Sequence, residues 1–445
     1  MSRRRDKAGC ARSRLDPTPH ARNAGSQRCF SGSSSSTGGE ARVANAHPDL
    51  MRLTFWEKPQ EERDRAFARL RDEPRPAFFP TDDGRGFYAL TRHADVVAAS
   101  RDPGTFSSEP ISTSLDDPPE SVRRYAGSMI SLDAPRHTRL RRIVARSFTP
   151  RMADKMSEDI ASTARQIVSE VAVLGQGEFD FIEHVATPMT MRVVCRILGI
   201  PESRYGDVRA ASELILAAGD PDHDDREAFL LSKYVELHEL TRELVLKRLH
   251  EPADDLITQL CTANVDDECL TQEEVGKFFT LLIVAGTETT RNALAHAIWL
   301  LTTRPEQRAY LFSDMENRVS LMSNEVVRYS TPINWMRRNV TREVECFGGA
   351  FQPGDRVVMF YNSANRDGAV FDRPDEFIAG RTHNPHVGFG ALGPHYCLGV
   401  HLAIQQMNTL LKELFTRFPD FHSTAGAVRQ RSSFVNGYEI LPCSV

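Results

Sequence analysis

Asn384 to Gly399 reads Asn-Pro-His-Val-Gly-Phe-Gly-Ala-Leu-Gly-Pro-His-Tyr-Cys-Leu-Gly. Its glycines, Gly388, Gly390, Gly393 and Gly399, leave few Cβ atoms, so a flat group can lie against the backbone while one cysteine projects from it. Beyond Leu398 the apolar residues Leu402, Ala403, Met407, Leu410, Leu411, Leu414 and Phe415 recur at helical steps. A cysteine just ahead of a helix faces unpaired N–H groups and the positive end of the dipole, and both favour its thiolate. Cys397 is therefore a candidate metal ligand. No second cysteine lies within zinc-finger spacing, and His395 alone cannot complete a tetrahedral site. A lone thiolate in such a loop suits an iron already held by a macrocycle, a haem; the alternative is a structural cysteine buried beside a turn.

A second constellation breaks local rules. Thr271-Gln-Glu-Glu274 is a capping box, and the helical pattern after it runs to the residue before Pro305. About 33 residues at about 1.5 Å each give roughly 50 Å, enough to cross a domain. The middle of this helix is apolar on all sides (Phe278, Phe279, Leu281, Leu282, Ile283, Val284), which predicts burial. Into it the sequence places Ala285-Gly-Thr-Glu-Thr-Thr290. Gly286 weakens the helix by roughly 1 kcal/mol relative to alanine, and Glu288 and Thr289 are costly to bury without partners. Such a violation marks a site; the plain alternative is a threonine bonded back to its own helix with Glu288 reaching an arginine.

Two further patterns carry charge. Asp133-Ala-Pro-Arg-His137 predicts a helix start, with Asp133 as cap and Pro135 in the first turn. His137 and Arg141 then share one face, among Arg136, Arg139 and Arg142. Asn324-Glu-Val-Val-Arg328 puts Glu325 and Arg328 on one helical face, an ordinary pair when exposed.

Phe389, Gly393, His395, Cys397 and Gly399 together resemble the haem-binding loop of the cytochrome P450 monooxygenases. Phe389 stands eight residues before the cysteine, as in a mainly actinobacterial subgroup, with Ala391 replacing that subgroup's second glycine. The resemblance covers roughly residues 54 to 445. It implies a mainly α fold with a small β-rich part, one haem b, and Cys397 as its metal ligand. It further implies haem-propionate contacts from His137, Arg141 and Arg338, and an oxygen-handling face made by Ala285, Gly286, Glu288 and Thr289. In that reading Gly286 leaves room for dioxygen, Thr289 hydrogen-bonds the activated oxygen and Glu288 gates proton delivery. Glu325 and Arg328, with Arg381, would support the cysteine loop. Leu282, Ile333, Asn334, Trp335, Met336, Phe434 and Val435 would line the substrate pocket. Ile404 and Gln406 depart from the usual arginine and glutamate.

The same resemblance implies a hydrophobic substrate, O2, and electrons from a separate ferredoxin and ferredoxin reductase, received near Arg139, Arg142 and Arg146. No Gly-x-Gly-x-x-Gly motif follows a strand to suggest a fused reductase. Several stretches, such as Phe78-Phe79-Pro80 and Ser363-Ala-Asn-Arg366, look like bacterial enzymes that hydroxylate branched lipids or sterol side chains; a terpenoid or macrolide tailoring hydroxylase is the nearest alternative. A peroxide-dependent peroxygenase would normally lack the Glu288–Thr289 pair, and a non-catalytic haem sensor is the remaining rival.

Composition bounds these readings. With 55 basic and 60 acidic residues the chain is near neutral, which argues against nucleic-acid binding. Eight cysteines without paired spacing fit a reducing, cytoplasmic setting. The best apolar window, Phe278 to Ala285, is far short of a membrane span. Residues 1–46 hold nine Lys or Arg against three Asp or Glu, with four consecutive serines, and predict a disordered leader with transit-peptide composition. The catalytic part is expected at 47–445.

The remaining expectations concern elements. They are a helix over 54–71, a strand from Gly86, a helix at His93–Ser100 and an irregular lid between Pro103 and Met129. A helix-rich stretch at 155–250 is interrupted by an acidic loop from Asp220. A hairpin over Val340–Tyr361 turns at Pro353-Gly-Asp355.

Overall fold

The capping box forms: Thr271 Oγ1 accepts from Glu274 N–H at 3.1 Å, and the Glu274 carboxylate accepts from Thr271 N–H at 2.8 Å. The helix it starts, Gln272–Thr303, runs unbroken through Gly286 and stops ahead of Pro305. Around it pack the helices Pro150–Leu174, Thr187–Leu198, Tyr205–Ala217, Arg226–His250, Met315–Ser330 and Val400–Arg417, whose apolar faces share one core. The computed structural model describes residues 47, 49–50, 52–81, 84–147, 150–175, 177–217, 226–264 and 268–445. The expected leader and residues 220–225 of the acidic loop lie outside the described residues. Asp49–Val445 is one compact unit, and no helix among the described residues is long and apolar enough to cross a membrane.

The β part is small. Five strands pair in the order Ala77–Phe79, Phe87–Leu90, Arg356–Phe360, Trp335–Val340, Phe106–Ser107. Only the contact between Phe87–Leu90 and Arg356–Phe360 is parallel. A cluster of Phe55, Trp56, Phe67, Phe87, Trp335 and Phe360 covers one side.

Several boundaries differ from expectation for local reasons. The first helix is two, Leu53–Trp56 and Gln60–Asp72, because Pro59 cannot continue a helix and instead stands at the start of the second. The hairpin gains an extra turn at Phe347 and Gly348, both at positive φ, so Arg356–Phe360 pairs with Trp335–Val340 and not with Gly349–Phe351. Asp133 does not cap its helix: its carboxylate takes the Ser107 hydroxyl and the Ser108 N–H. The supposed irregular lid contains a strand, Phe106–Ser107, and a helix, Glu120–Ala126.

The lid is tied down by one strand. Arg337, fully buried, donates to Leu115 O at 2.6 Å and to Asp117 at 2.5 Å, and its N–H bonds Ser112 O at 2.8 Å. Arg85 reaches Asp117 at 3.1 Å, and Asn339 donates to Glu109 O. Burial would raise the Asp117 carboxyl, but hydrogen bonds and charge from Arg337 and Arg85 outweigh it and hold the pKa below its usual value.

The cysteine loop is braced from behind. Glu325, with no exposed surface, accepts from Arg328 Nε and Nη2 at 2.7 and 2.8 Å, from Arg381 Nε at 3.0 Å, and from Ile378 N–H at 2.9 Å. Asn384 Nδ2 adds a contact at 3.3 Å, and His386 sits one turn of chain beyond it, near Asn324 Oδ1 at 3.4 Å. Arg328 also donates to the carbonyls of Asn365, Pro374 and Glu376.

Removing one member of such a buried ion group strands the others, at a cost of roughly 3–5 kcal/mol. Glu325→Ala is expected to lower urea-unfolding stability by that order, while Lys412→Ala, in an exposed pair with Glu316, leaves it within about 0.5 kcal/mol. Equal effects of the two would contradict the brace. Acid supplies a second test. Burial and the charge of Arg328 push His386 down to about 4, and burial with the charge of Arg429 holds His296 well below its ordinary 6.5. The unfolded chain therefore binds protons that the fold refuses between about pH 6.5 and about pH 4, so stability is complete above this window and falls as pH descends through it. The urea midpoint should drop from pH 7 to pH 5, and His386→Gln should flatten that drop; a level midpoint would be inconsistent with both assignments.

Candidate active site

Cys397 stands directly before the helix Val400–Arg417, and its own N–H donates to Phe389 O at 2.9 Å, closing the loop on itself. The side chain is solvent-accessible, yet burial pushes the thiol above its ordinary value, against a Gly399 N–H bond and the charge of Arg141.

The loop's glycines serve more than one purpose. A Cβ at Gly393 would stand 2.0 Å from Ser100 O, and one at Gly388 would stand 2.6 Å from Val327, so protein packing excludes side chains there. At Gly399 the nearest atom is Cys397 Sγ at 4.0 Å, and the space is open. Gly390, at a φ of 87°, likewise has no atom nearer than 3.7 Å, so Gly390 and Gly399 match the expectation that glycine leaves room for a flat group. Leu392 takes a positive φ of 49° and is 66 % exposed, a strained setting for a large apolar residue.

Four basic side chains converge on the loop. Arg141 Nη2 donates to Tyr396 O at 2.7 Å, and the His137 and His395 rings lie 4.2 Å apart. Arg338, buried, donates to Arg337 O at 2.7 Å. Burial, aided by Arg338, His137 and Arg141, pushes His395 down to about 3, and burial with the charge of Arg141 lowers His137, so both rings are neutral at pH 7. Neither Arg141 nor Arg338 forms an ion pair with a carboxylate among the described residues, and His137 Nε2 has no hydrogen-bond partner. A buried cation without a counter-ion is strongly unfavourable. This donor set fits a dianion lying beside a thiolate, and haem, with two propionates and an iron, meets both requirements.

The long helix has one open face. Ile283, Thr287, Glu288 and Thr290 are buried, whereas Leu281, Leu282, Gly286 and Thr289 are half-buried and Ala285 is exposed in mid-helix. Thr289 Oγ1 donates to Ala285 O at 2.7 Å. Glu288 is buried away from that face against Arg291 at 2.6 Å; burial raises its carboxyl pKa, with Arg291 opposing. A Cβ on Gly286 would stand 3.0 Å from Val194, so this glycine also serves close packing against the helix Thr187–Leu198.

Residues expected around a substrate divide by burial. Ile333 and Met336 are half-buried and accessible, as is Phe434. Asn334 and Trp335 are buried and both donate to Ser433 O at 3.0 Å; Trp335 packs on Phe434 at 4.9 Å in the aromatic cluster, and Val435 is buried in a bridge to Ile333. Those three are committed to packing. Two of the surface arginines are also engaged: Arg139 pairs with Glu274 at 2.6 Å and the exposed Arg142 with Glu268 at 2.7 Å, while Arg146 is exposed. Gln406 is buried with no partner for Oε1, and Ile404 is half-buried.

Sequence reasoning missed the lid anchor, although its signal was present. Two consecutive arginines on a strand face opposite sides, so when Arg338 turns to the site Arg337 must find partners behind it. In the lid Asp117 and the Leu115 carbonyl are those partners, and Arg356 stands 3.9 Å from Asp116 and 3.8 Å from Asp117.

Comparison with known proteins agrees with this arrangement. The family profile described as Cytochrome P450 matches residues 223–425. The chain is 37 % identical over 407 residues to a methyl-branched lipid omega-hydroxylase of Mycobacterium bovis, covering 90 % of this chain and 95 % of that protein. It is 33 % identical over 357 residues to a steroid C26-monooxygenase of Mycolicibacterium smegmatis, covering 79 % and 82 %. Among solved structures, a Mycobacterium marinum cytochrome P450 in complex with pseudoionone superposes with a TM-score of 0.84 at 34 % identity, covering 92 % of this chain and all of that one. With a shared fold and relatives matched along nine-tenths of its length, the chain belongs to the cytochrome P450 family, the haem-dependent monooxygenases.

Proposed function

We propose that Cys397 is the haem iron ligand, that His137, Arg141 and Arg338 hold the propionates, and that the substrate is a branched lipid or a steroid side chain. The observation that carries this reading is the pair of cations, Arg141 and Arg338, left without carboxylate partners around an accessible cysteine. Phe389, Gly393, His395 and Gly399 shape the loop that presents the thiolate. When bound, haem supplies the activation of dioxygen and the insertion of one oxygen atom into a C–H bond, with the thiolate donating electron density.

The chain's own groups do the rest. Ala285 and Thr289, one turn apart on the open face, border the reacting centre, and Leu282, Ile333, Met336 and Phe434 give it apolar walls that exclude water. Thr289 holds a proton at Oγ1, presently donated to Ala285 O. Glu288, whose carboxyl pKa burial raises, is the adjacent proton-holding group; it must part from Arg291 to pass a proton inward. Glu325, Arg328 and Arg381 keep the cysteine loop in position.

Electrons come, in this reading, from a separate ferredoxin and ferredoxin reductase. Arg146 is the best-placed contact, because Arg139 and Arg142 are spent on Glu274 and Glu268. The substrate class is supported by the activities for which the two mycobacterial relatives are named and by the apolar walls. A cytoplasmic location and a catalytic part spanning 47–445 belong to the same proposal.

Purified ferrous protein under carbon monoxide should show the thiolate-type Soret shift, and Cys397→Ser should abolish it. A retained shift would overturn the ligand assignment. Thr289→Ala should keep the haem but lower product formed per electron by roughly a hundredfold, the order expected for a positioned proton donor; peroxide-only turnover untouched by that change would favour a peroxygenase. Binding screens with branched fatty acids and cholestenones, followed by product analysis, test the substrate class.

A further inference from the structure

Glu288 is held by one cation on its own helix. Arg291, buried beside it, donates Nη2 to the Glu288 carboxylate at 2.6 Å, and no other carboxylate pairs with Arg291 among the described residues. Its Nε is buried without an acceptor. A buried guanidinium with a donor unmet needs a second acceptor whenever Glu288 takes up a proton and loses its charge.

The acceptor in reach is Asn292, a side chain with no exposed surface, whose Oδ1 accepts from Arg291 Nη2 at 3.4 Å. An amide has a donating end and an accepting end, and a cation is met favourably by the second alone. Which end faces Arg291 is decided from outside the helix. Asn292 Nδ2 donates to Gln430 Oε1 at 3.4 Å, so the donating end is occupied and the carbonyl is left for the guanidinium.

Gln430 follows the strand Val428–Arg429, which pairs with Tyr438–Ile440 across a loop. That loop is bolted down. Gln430 N–H bonds Gly437 O at 3.1 Å, Asn436 N–H bonds Pro332 O at 2.9 Å, and the Ser433 carbonyl takes Asn334 and Trp335. Its backbone also presses on the amide itself, since a Cβ on Gly437 would stand 2.2 Å from Asn292. The amide has little room to swing, and Gln430 opposes its turning over.

We propose that Asn292 and Gln430 are positioning residues: together they offer Arg291 a second resting place and so set how readily it releases Glu288. The inference rests on Glu288 as the proton-holding group of the reading above and adds what loosens it. Two further charges bear on Glu288 from the helix Tyr205–Ala217, where Glu213 and Arg209 act in opposite senses. That helix meets the long one through Ser212 and Thr287 at 3.2 Å. Glu213 and Arg209 pair with each other at 2.8 Å, so the hairpin side is where Arg291 finds its alternative.

The test is an infrared pH titration of the Glu288 carboxyl in the haem-loaded enzyme, its band assigned by its loss in Glu288→Gln. Gln430→Leu removes the acceptor from a half-buried position without opening the core. Left without its second acceptor, Arg291 should hold the Glu288 carboxylate more tightly, and the midpoint should fall by at least about half a unit, roughly a threefold change in proton affinity. Asn292→Leu should lower it similarly and the double variant no further, because Gln430 acts only through Asn292. Gln430→Glu keeps an oxygen acceptor and should not lower the midpoint. An unchanged midpoint in Gln430→Leu, or falls that add in the double variant, overturns the proposal.

Product formed per electron, measured with a cholestenone as probe and a ferredoxin with its reductase as electron source, keeps the two readings apart. Glu288→Gln and Gln430→Leu should both lower it. If the midpoints move as expected but Glu288→Gln couples like wild type, the hold on Arg291 stands and Glu288 fails as proton source. If Glu288→Gln uncouples turnover and no midpoint moves, Asn292 and Gln430 alone fail.

Discussion

A single carboxylate decides where the cysteine loop can be. Glu325 has no exposed surface, and its two oxygens are divided among Arg328, Arg381, the Ile378 N–H and Asn384. It thereby clamps the helix Met315–Ser330 to the chain that enters the loop from Phe371 onward. Such a clamp is rigid because every partner is needed: withdrawal of one leaves an uncompensated charge in a low-dielectric interior. The loop in turn fixes Cys397 through its N–H bond to Phe389 O and through the tight approach of Gly393 to Ser100.

Against that fully satisfied group stands one that is not. Arg141 and Arg338 carry their charge without carboxylates, and His137 Nε2 carries no bond at all. The contrast is physical information. A protein that pairs Glu325 so thoroughly does not leave two cations and an imidazole unpaired in the same neighbourhood unless an anionic group completes them. The long helix, for its part, is accessible at Ala285 in the middle of a largely buried run.

What the sequence disclosed was what chemistry makes rare. A capping box, a proline stop and an apolar run located the long helix to within a residue or two. Cys397 and the Glu-x-x-Arg pair were found because cysteine loops and charged pairs have few local explanations. What it did not disclose depended on partners far along the chain. Gly393 looked like room for a ligand, but Ser100 claims that space, and Gly286 also packs closely on Val194. Asn334 and Trp335 looked like pocket walls because they adjoin Ile333 and Met336; both side chains instead bond the Ser433 carbonyl, and Trp335 joins the aromatic cluster. Arg139 and Arg142 looked free until Glu274 and Glu268 folded back beside them.

The adjacent arginines of the strand Trp335–Val340 have a mechanical consequence. Arg337 grips the lid from one face and Arg338 reaches toward the cysteine loop from the other, separated by one peptide unit. A strand that short cannot rotate at one residue without rotating at the next. A shift of the lid that turned Arg337 would therefore turn Arg338 as well, so under the proposed haem placement the two faces of the strand move as one.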